Sequence, residues 1–332
     1  MTVEPPRSAV PGARPPAPSG GIAALRRRLQ RSRNGLWFIP AIFVLLGAAY
    51  LAQATEVFTT RQNMMNLAAQ TAPILIVSIG QMLVVVIRGL DLSVGAVMSL
   101  TTALLVIDAP LELTLPLVLA VAIMIGLANG VMAVLLNVHP IIATLATMSV
   151  VQGITLLVRP VAGGQVARPI RDLAGGTLLG LPAPVVICAV VLLVAWVLIH
   201  RSRFGLHLFA IGGGHTAGAF GLAEKRQQIL AYVLCSVFAA LAGVFVAARI
   251  GSGDPNVGAQ FAIDSITAVA LGGTQLAGGI GSLGGTAFGA LFIAVLGNGM
   301  NLLNVSPFIQ TIVKGSILLM VVAMQPRKTV GL

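Results

Sequence analysis

The chain has 332 residues, of which 57% are hydrophobic and only 9% are charged, and its net charge is +11. With a mean hydropathy of +0.98, it would be insoluble as a globular domain, so the composition indicates a polytopic membrane protein. The positive charge does not indicate a nucleic-acid partner. The basic residues lie in short segments beside apolar spans, where they determine membrane topology, and no basic-aromatic recognition face is present.

The chain divides into a basic tail, a transmembrane domain and a short second tail. Residues 1–34 are rich in proline and arginine, which predicts a disordered cytoplasmic segment that ends in a basic stop at the membrane. Residues 35–326 form the predicted transmembrane domain, and residues 327–332 form a cytoplasmic C-terminal tail. The apolar segment near residues 36–54 is long for a signal peptide and precedes no cleavage site, so it is interpreted as a retained first span.

The predicted fold is all-α, with about ten transmembrane helices; a count of eight is the alternative. About 20 apolar residues are needed to cross about 30 Å of hydrocarbon. After the first span, the predicted spans are residues 71–87, 92–108, 115–136, 140–158, 183–200, 229–250, 264–281, 285–303 and 307–325. With the N-terminus inside, an even count also places the C-terminus in the cytoplasm, and most Lys and Arg residues then lie on the inner side, as the positive-inside rule requires.

Arg88 and Asp91 lie at the predicted inner junction of the second and third spans. An ionisable residue near the membrane interior is a candidate functional group. Their spacing permits a local ion pair if the junction is helical, whereas Asp91 followed by Ser93 can cap the next helix through its side-chain oxygen. Direct contact of Asp91 and Ser93 with a passing substrate is the third interpretation.

Hydroxyl and carboxamide side chains in two other spans are further candidates for lining an aqueous path. Thr144 and Thr147 can bond back to their own helix or face a wet cavity. Three asparagines are predicted to lie within an arc of about 120° on one helix and to face protein or the path: Asn298, Asn301 and Asn304. Neutral carboxamides suit hydroxyl-rich solutes because they offer both donors and acceptors. Hydrogen bonding between helices is the alternative.

Glycine is concentrated in segments that a membrane protein must bury. The run at residues 270–286, ALGGTQLAGGIGSLGGT, predicts close packing or a pathway, because irregular backbone in a bilayer must be buried in protein or line a cavity. This run lacks the Lys of a P-loop, so the chain has no nucleotide-hydrolysing motif of the usual kind. Glycines four residues apart predict close helix packing at Gly126 and Gly130, and at Gly281, Gly285 and Gly289.

Two loops are candidate docking segments. The inner loop at residues 201–228 alternates apolar and small residues, which predicts a short interfacial helix that docks into a partner groove; a loop tucked beneath the bundle is the alternative. Asp254 and Asp264 bracket a predicted outer loop and could meet basic residues of a docking protein, although helix capping, solvation and a turn at Asp254-Pro255 are equally good interpretations. The histidines and cysteines do not have metal-ligand spacing, so no metal is predicted.

Several spaced segments together resemble the permease subunit of bacterial ABC importers. The resemblance is to the ribose/xylose-type simple-sugar branch, which also includes the branched-chain amino-acid permeases. The matching segments are RGLDLSVGAVMSL at residues 88–100, HPIIATLATMSVVQGITLLV at residues 139–158, RSRFGLHLFAIGGG at residues 201–214 and a long block at residues 232–322.

This resemblance implies the assembly in which the chain works. Two permease subunits would enclose a translocation path, fed by a periplasmic or lipid-anchored sugar-binding protein and driven by a cytoplasmic ABC ATPase. The chain would be a multi-pass protein of the bacterial inner membrane, surrounded by lipid, and would not be an enzyme. It would bind no cofactor, since ATP and magnesium belong to the ATPase. The second permease is expected to be another copy of this chain; a heterodimer is the alternative.

The resemblance also implies that the inner loop couples the permease to the ATPase. The positions that match the family's pattern, and that therefore carry this expectation, are Gly212, Gly213, Ala217, Gly221 and Leu222. The loop departs from the pattern at His215, Thr216 and Ala219, and the role is not extended to them.

The predicted function is thus ATP-driven import of a monosaccharide resembling ribose or xylose. A branched-chain amino acid, a nucleoside or a quorum-sensing furanosyl compound is the alternative substrate. An ion-coupled secondary transporter is the alternative of another class, and it would need midplane carboxylates or broken helices. A passive channel or a structural scaffold would need neither a binding protein nor a motor.

Overall fold

The computed structural model describes residues 38–214 and 223–325. The predicted tails at residues 1–34 and 327–332, and part of the inner loop, lie outside this region. The described helices are α1 (Phe38–Ala54), α2 (Arg61–Val86), α3 (Val94–Leu104), α4 (Leu111–Val134), α5 (Pro140–Val158), α6 (Arg168–Gly175), α7 (Ala183–Trp196), α8 (Arg203–Gly213), α9 (Glu224–Ile250), α10 (Ala259–Leu271), α11 (Leu283–Leu302) and α12 (Pro307–Met324). A two-residue hairpin, β1 (Thr177–Leu178) with β2 (Leu181–Pro182), precedes α7.

Seven described helices are long and apolar enough to cross a membrane: α2, α4, α5, α7 with the π-helical turn Val197–Arg201, α9, α11 and α12. The shorter apolar helices are α1, α3 and α10. The helical, polytopic fold class is therefore confirmed, whereas ten full crossings and the cytoplasmic termini stay predictions. At 1.5 Å per residue, α3 and α10 rise only about 16 and 20 Å, which is less than the hydrocarbon thickness.

The predicted span at residues 264–281 is wrong. Helix α10 covers Ala259–Leu271, and residues 272–282 form turns and irregular backbone. Gly273, Gly278 and Gly279 have φ values of 82°, 79° and 78°, which glycine adopts at little cost and a helix does not contain. Apolar composition indicated a span here, but the glycines end the helix early.

Helices α2 and α9 form the centre of the bundle and pack against each other. Residues 72–87 are all buried, which explains why α2 is apolar on all sides. The two helices approach closely at Gly80, where a Cβ atom would lie 2.8 Å from the Cβ of Phe238 and 3.0 Å from the carbonyl oxygen of Cys235. A side chain at Gly80 would therefore force the two central helices apart.

The glycines predicted to mediate close packing do so. A Cβ atom at Gly126 would lie 2.6 Å from the Cα of Val233, and one at Gly130 would lie 2.9 Å from the Cα of Ile229, so α4 packs directly on the α9 backbone. Gly281 lies in the irregular segment before α11 and contacts Val86 and Thr274, whereas Gly285 and Gly289 of α11 contact Gly272 and Ala268. The prediction of close helix packing is confirmed for Gly126, Gly130, Gly285 and Gly289, but Gly281 lies outside a helix.

Helix α3 and the start of α10 meet in the interior. The hydroxyl of Ser99 in α3 accepts a hydrogen bond of 2.9 Å from the backbone N–H of Gly258. On its other side α3 contacts α9, where a Cβ atom at Gly243 would lie 2.7 Å from the Cβ of Thr101. The segment between α9 and α10 therefore enters the bundle instead of remaining at its end.

Candidate functional site

Asp91 lies in a fully buried polar cluster at the turn between α2 and α3. Its Oδ1 accepts hydrogen bonds from the backbone N–H of Ser93 (2.9 Å) and from the Ser93 hydroxyl (2.6 Å). The carboxamide of Asn129 in α4 donates to Ser93 Oγ at 2.8 Å and to Asp91 Oδ2 at 3.3 Å. None of the three side chains is exposed. This arrangement stabilises the turn that starts α3.

The cluster forms neither the local ion pair nor a side-chain cap of α3: Asp91 accepts from the N–H of Ser93, which is itself the N-cap residue, and so it stabilises the turn just before the helix. Arg88 adopts a left-handed conformation, with φ 68°, and its Nε donates to the carbonyl oxygen of Gly212 at 3.1 Å. The junction is thus not helical, and the geometry that would bring the guanidinium to Asp91 is not formed. In the orientation that satisfies its amide, Gln81 also donates to the carbonyl oxygen of Asp91 and accepts from its N–H, at 3.0 and 3.2 Å.

Asn129 was not among the sequence candidates, although a signal was present. It is a polar residue in an apolar span and is followed by Gly130, which brings α4 close to α9. The sequence showed the polar residue, but only the tertiary structure shows its contact with Ser93, 36 residues earlier in the chain.

Thr144 and Thr147 bond back to their own helix, in agreement with the alternative to a wet cavity. Thr147 donates to the carbonyl oxygen of Ala143 at 3.1 Å. Thr144 donates to the carbonyl oxygen of Pro140 at 2.9 Å, and that of Leu90 lies at 3.2 Å. Thr144 therefore also fastens α5 to the turn that carries Asp91.

The three asparagines do not share one helical face, so this prediction is wrong. Asn298 is buried and exchanges hydrogen bonds of 2.9 and 3.2 Å with Asn63 of α2. Asn301 is exposed and accepts from Gln310 of α12 at 2.8 Å. Asn304 lies beyond the end of α11 at Leu302 and has a left-handed backbone, with φ 54°. Because the helix ends before Asn304, the helical spacing does not apply to it.

The two candidate docking carboxylates lie in different environments. Asp254 is half-buried, and its Oδ1 accepts from the N–H of Asn256 at 2.8 Å, which is the predicted turn geometry. Asp264 lies inside α10 and not in the loop. Its Oδ2 is 2.7 Å from Nζ of Lys314 in α12, and its side chain is 6% exposed. The predicted loop position of Asp264 is wrong, because α10 begins at Ala259 and the carboxylate is neutralised within the bundle.

The inner loop begins with the predicted helix. Helix α8 is capped by Ser202, whose hydroxyl accepts from the N–H of Gly205 at 3.3 Å, and it ends at Gly213. Of the five residues expected to couple to an ATPase, Gly212 and Gly213 end this helix. Ala217, Gly221 and Leu222 lie outside the described residues. Docking of the loop into a partner remains a prediction.

Gly212 lies where three segments meet, here called the glycine junction: residues 86–88, 212–213 and 278–279. The N–H of Gly279 donates to the carbonyl oxygen of Val86 at 2.8 Å. A Cβ atom at Gly212 would overlap that same oxygen and lie 2.6 Å from the nitrogen of Gly279. A side chain at Gly278 would overlap Cγ of Arg88. The junction joins α8 directly to the turn of Asp91 and to the segment that follows α10.

The described residues contain no cluster of three or more His, Cys, Asp or Glu residues that could hold a metal ion. The junction and the Asp91 cluster also lack the aligned nucleophile and base that covalent chemistry requires. At the glycine junction the backbones of the three segments lie in contact without side chains between them.

Comparison with known proteins shows the family of this chain. A family model described as "Branched-chain amino acid transport system / permease component" matches residues 63–322. The ribose import permease of Escherichia coli (strain K12) is 36% identical over 300 residues, covering 87% of this chain and 92% of the relative. The ribose import permease of Bacillus subtilis (strain 168) is 34% identical, covering 89% and 92%. The D-allose transport system permease of Escherichia coli (strain K12) is 29% identical, covering 88% and 91%.

No solved structure matches this chain significantly. The family model covers well over half of the chain, and the ribose permeases exceed 30% identity over nearly their whole length. The chain therefore belongs to the permease-component family of bacterial branched-chain amino acid transport systems, whose members include sugar import permeases.

Proposed function

We propose that this chain is the membrane-spanning permease of an ABC importer for ribose or a chemically similar monosaccharide. The observation that carries the proposal is the 36% identity to a ribose import permease over 92% of that protein's length. Relatives named for allose, galactose and autoinducer 2 share lower identities of 28–33%. As a multi-pass permease subunit, the chain moves a solute across the bacterial inner membrane and is not an enzyme.

The partners follow from the family, and their arrangement belongs to the proposal. A cytoplasmic ATPase supplies the energy and a soluble binding protein delivers the sugar. A second copy of this chain completes the path, and lipid surrounds the pair. No cofactor binds to this chain, because ATP and magnesium bind to the ATPase.

The glycine junction suggests how the energy reaches the path. Helix α8 precedes the predicted coupling residues, and its last turn contacts the turn of Asp91 through Arg88 and Gly212. Displacement of α8 therefore moves the start of α3, which the Asp91 cluster holds. The same displacement reaches α10 through Gly279 in the segment that follows it. Displacement of α8 therefore moves both short interior helices, α3 and α10.

An ion-coupled secondary transporter is the alternative. The short helices α3 and α10 are consistent with it, since broken helices form the ion sites of such proteins. The observed charges argue against it. Asp264 is neutralised by Lys314, and the Asp91 carboxylate is occupied by the turn it stabilises.

Reconstitution in proteoliposomes tests the proposal. The chain is combined with the ATPase and the binding protein from the same operon, and uptake of labelled D-ribose is measured with each component omitted in turn. We expect uptake that requires all components and that unlabelled D-ribose suppresses more strongly than D-allose or leucine. Uptake by the chain alone, driven by an ion gradient, would refute the importer.

A further inference from the structure

The segment between α9 and α10 brings exposed carboxamides into the depth of the membrane. Helix α5 has 19 residues and rises about 28 Å, so it crosses the hydrocarbon and its ends mark the two surfaces. Gln152 lies six residues before the end of α5 at Val158, about 9 Å below that surface. Its Nε2 donates to the carbonyl oxygen of Pro255 at 2.9 Å and approaches Oδ1 of Asn256 at 3.4 Å.

A second contact gives a similar depth. The N–H of Gly258 donates to Ser99 in the middle of α3, and the neighbouring Met98 packs on Gly243 of α9. Gly243 lies seven residues before the end of α9 at Ile250, which places this level about 10 Å below the helix end. Helix α9 has 27 residues and rises about 40 Å, so each end extends roughly 5 Å beyond about 30 Å of hydrocarbon, and this level lies roughly 5 Å inside the layer. Asn256 and Gln260 lie on either side of Gly258 and therefore enter the hydrocarbon layer.

These carboxamides are exposed, although lipid would be a costly environment for them. Asn256 and Gln260 are both exposed and Gln152 is half-buried. The Gln260 carboxamide makes no hydrogen bond to any residue that the structure describes. Polar groups facing lipid cost free energy, and irregular backbone at this depth is tolerated only where it is buried in protein or lines a watery cavity.

The lipid-facing surface elsewhere on the chain has a different composition. Every exposed side chain of α4 from Leu113 to Ala128 is apolar, and Leu119 is 46% exposed about 12 Å from the start of that helix at Leu111. The surface formed by α5 and the start of α10 thus differs from the lipid-facing surface at a comparable depth.

We infer that Gln152, Asn256 and Gln260, called here the carboxamide face, line the sugar path and bind the hydroxyl groups of the passing solute. This inference rests on the proposed function. Carboxamides donate and accept hydrogen bonds without carrying charge, so they can exchange partners with each hydroxyl of a neutral sugar. The second permease subunit supplies the opposite wall of the path.

Accessibility of introduced cysteines tests whether the carboxamide face is wet. Asn256→Cys, Gln260→Cys and Leu119→Cys variants are reconstituted with the ATPase and the binding protein, and each is treated with a charged, membrane-impermeant thiosulfonate. The unmodified chain gives the background from Cys188 and Cys235. Only a thiol that meets water forms the reactive thiolate. We expect labelling at positions 256 and 260 and none at 119.

Two further measurements test whether the carboxamide face binds the sugar. Labelling at position 260 should slow when D-ribose and the binding protein are added during ATP turnover. Gln260→Leu, which keeps the side-chain size but removes the amide, should lower D-ribose uptake at limiting concentration by about two- to tenfold, the effect of losing one or two neutral hydrogen bonds. Unlabelled cysteines at 256 and 260, or labelling without protection combined with unchanged uptake in Gln260→Leu, would overturn the inference.

The outcomes also separate this inference from the proposed function. If cysteines at positions 256 and 260 are labelled but the complex transports no D-ribose, the assignment of ribose as the substrate is refuted, and the result supports an aqueous path at the carboxamide face. If these cysteines are not labelled but the complex transports D-ribose, the carboxamide face does not line the path, and the proposed importer function stands. Transport without labelling is also the result expected if the carboxamide face is a water-excluding contact between two copies of the chain.

Discussion

Replacing Gly212 by alanine tests whether the glycine junction transmits motion. A methyl group there would overlap the carbonyl oxygen of Val86 and lie 2.6 Å from the nitrogen of Gly279, whereas ordinary contacts are 3.4–4 Å. The three segments must therefore separate by roughly 1 Å, and overpacking of this kind costs about 1–3 kcal/mol. Alanine recovers up to about 1 kcal/mol by its higher helix propensity, so the net destabilisation is up to about 3 kcal/mol.

Gly213→Ala is the matched control for stability. It adds the same methyl group at the next position of α8, but nothing lies within 4 Å of its Cβ. We expect it to leave the thermal stability of the purified permease unchanged or slightly raised, and Gly212→Ala to lower it. Stability is measured from the fraction of protein that stays monodisperse after heating.

Transport by Gly212→Ala is the second measurement. If the junction connects α8 to the turn of Asp91, D-ribose uptake should fall by about tenfold, equivalent to about 1.4 kcal/mol, while ATP hydrolysis by the reconstituted complex continues. Gly315→Ala in α12, where a Cβ atom again meets nothing within 4 Å, controls for alanine substitution in general. Full transport by a Gly212→Ala variant that is as stable as Gly213→Ala would refute the reasoning.

The polar contacts between helices make further predictions. Lys314→Met or Asp264→Asn should each destabilise the permease by about 3–5 kcal/mol, because one buried charge loses its partner. The double variant should recover most of this loss in thermal unfolding. A double variant as unstable as either single variant would contradict the prediction. Asn63→Leu should cost about 1–3 kcal/mol by leaving the Asn298 amide unpaired, whereas Asn298→Leu should cost less, because Asn63 keeps its hydrogen bond to the carbonyl oxygen of Phe58. In the same assay, changing both to leucine should cost less than the sum of the two single changes. Asp91→Asn should keep the turn, since its amide oxygen also accepts hydrogen bonds from Ser93, whereas Asp91→Leu should lower both stability and uptake. Equal uptake by the two variants would argue against a role of Asp91 in stabilising the turn.

Local chemistry explains the sequence predictions that were confirmed. Helix α8 was predicted from its apolar and small residues, and the close contacts of Gly126 and Gly130 were predicted from their spacing. The turn at Asp254 followed from the proline after it. Each of these depends on residues within one or two helical turns, so a linear pattern contains the information.

The predictions that were wrong depended on where helices end. Asn304 was assigned to a helix that ends at Leu302, and Asp264 was assigned to a loop although α10 begins at Ala259. In an apolar chain, hydropathy changes little between a helix and the irregular backbone that follows it. Hydropathy therefore does not mark the start of α10 at Ala259 or the end of α11 at Leu302.

The sequence by itself determined the class of this protein. Its composition requires a membrane, its helical segments follow from runs of apolar residues, and its family follows from motifs spaced along the chain. These properties are sums over many residues and do not depend on which helix lies beside which. Only the tertiary structure decided which polar groups meet. Asp91 meets Asn129, Asp264 meets Lys314, and Gln152 meets the segment before α10, because hydrogen bonds and ion pairs act over a few ångströms and join residues that are far apart in the chain.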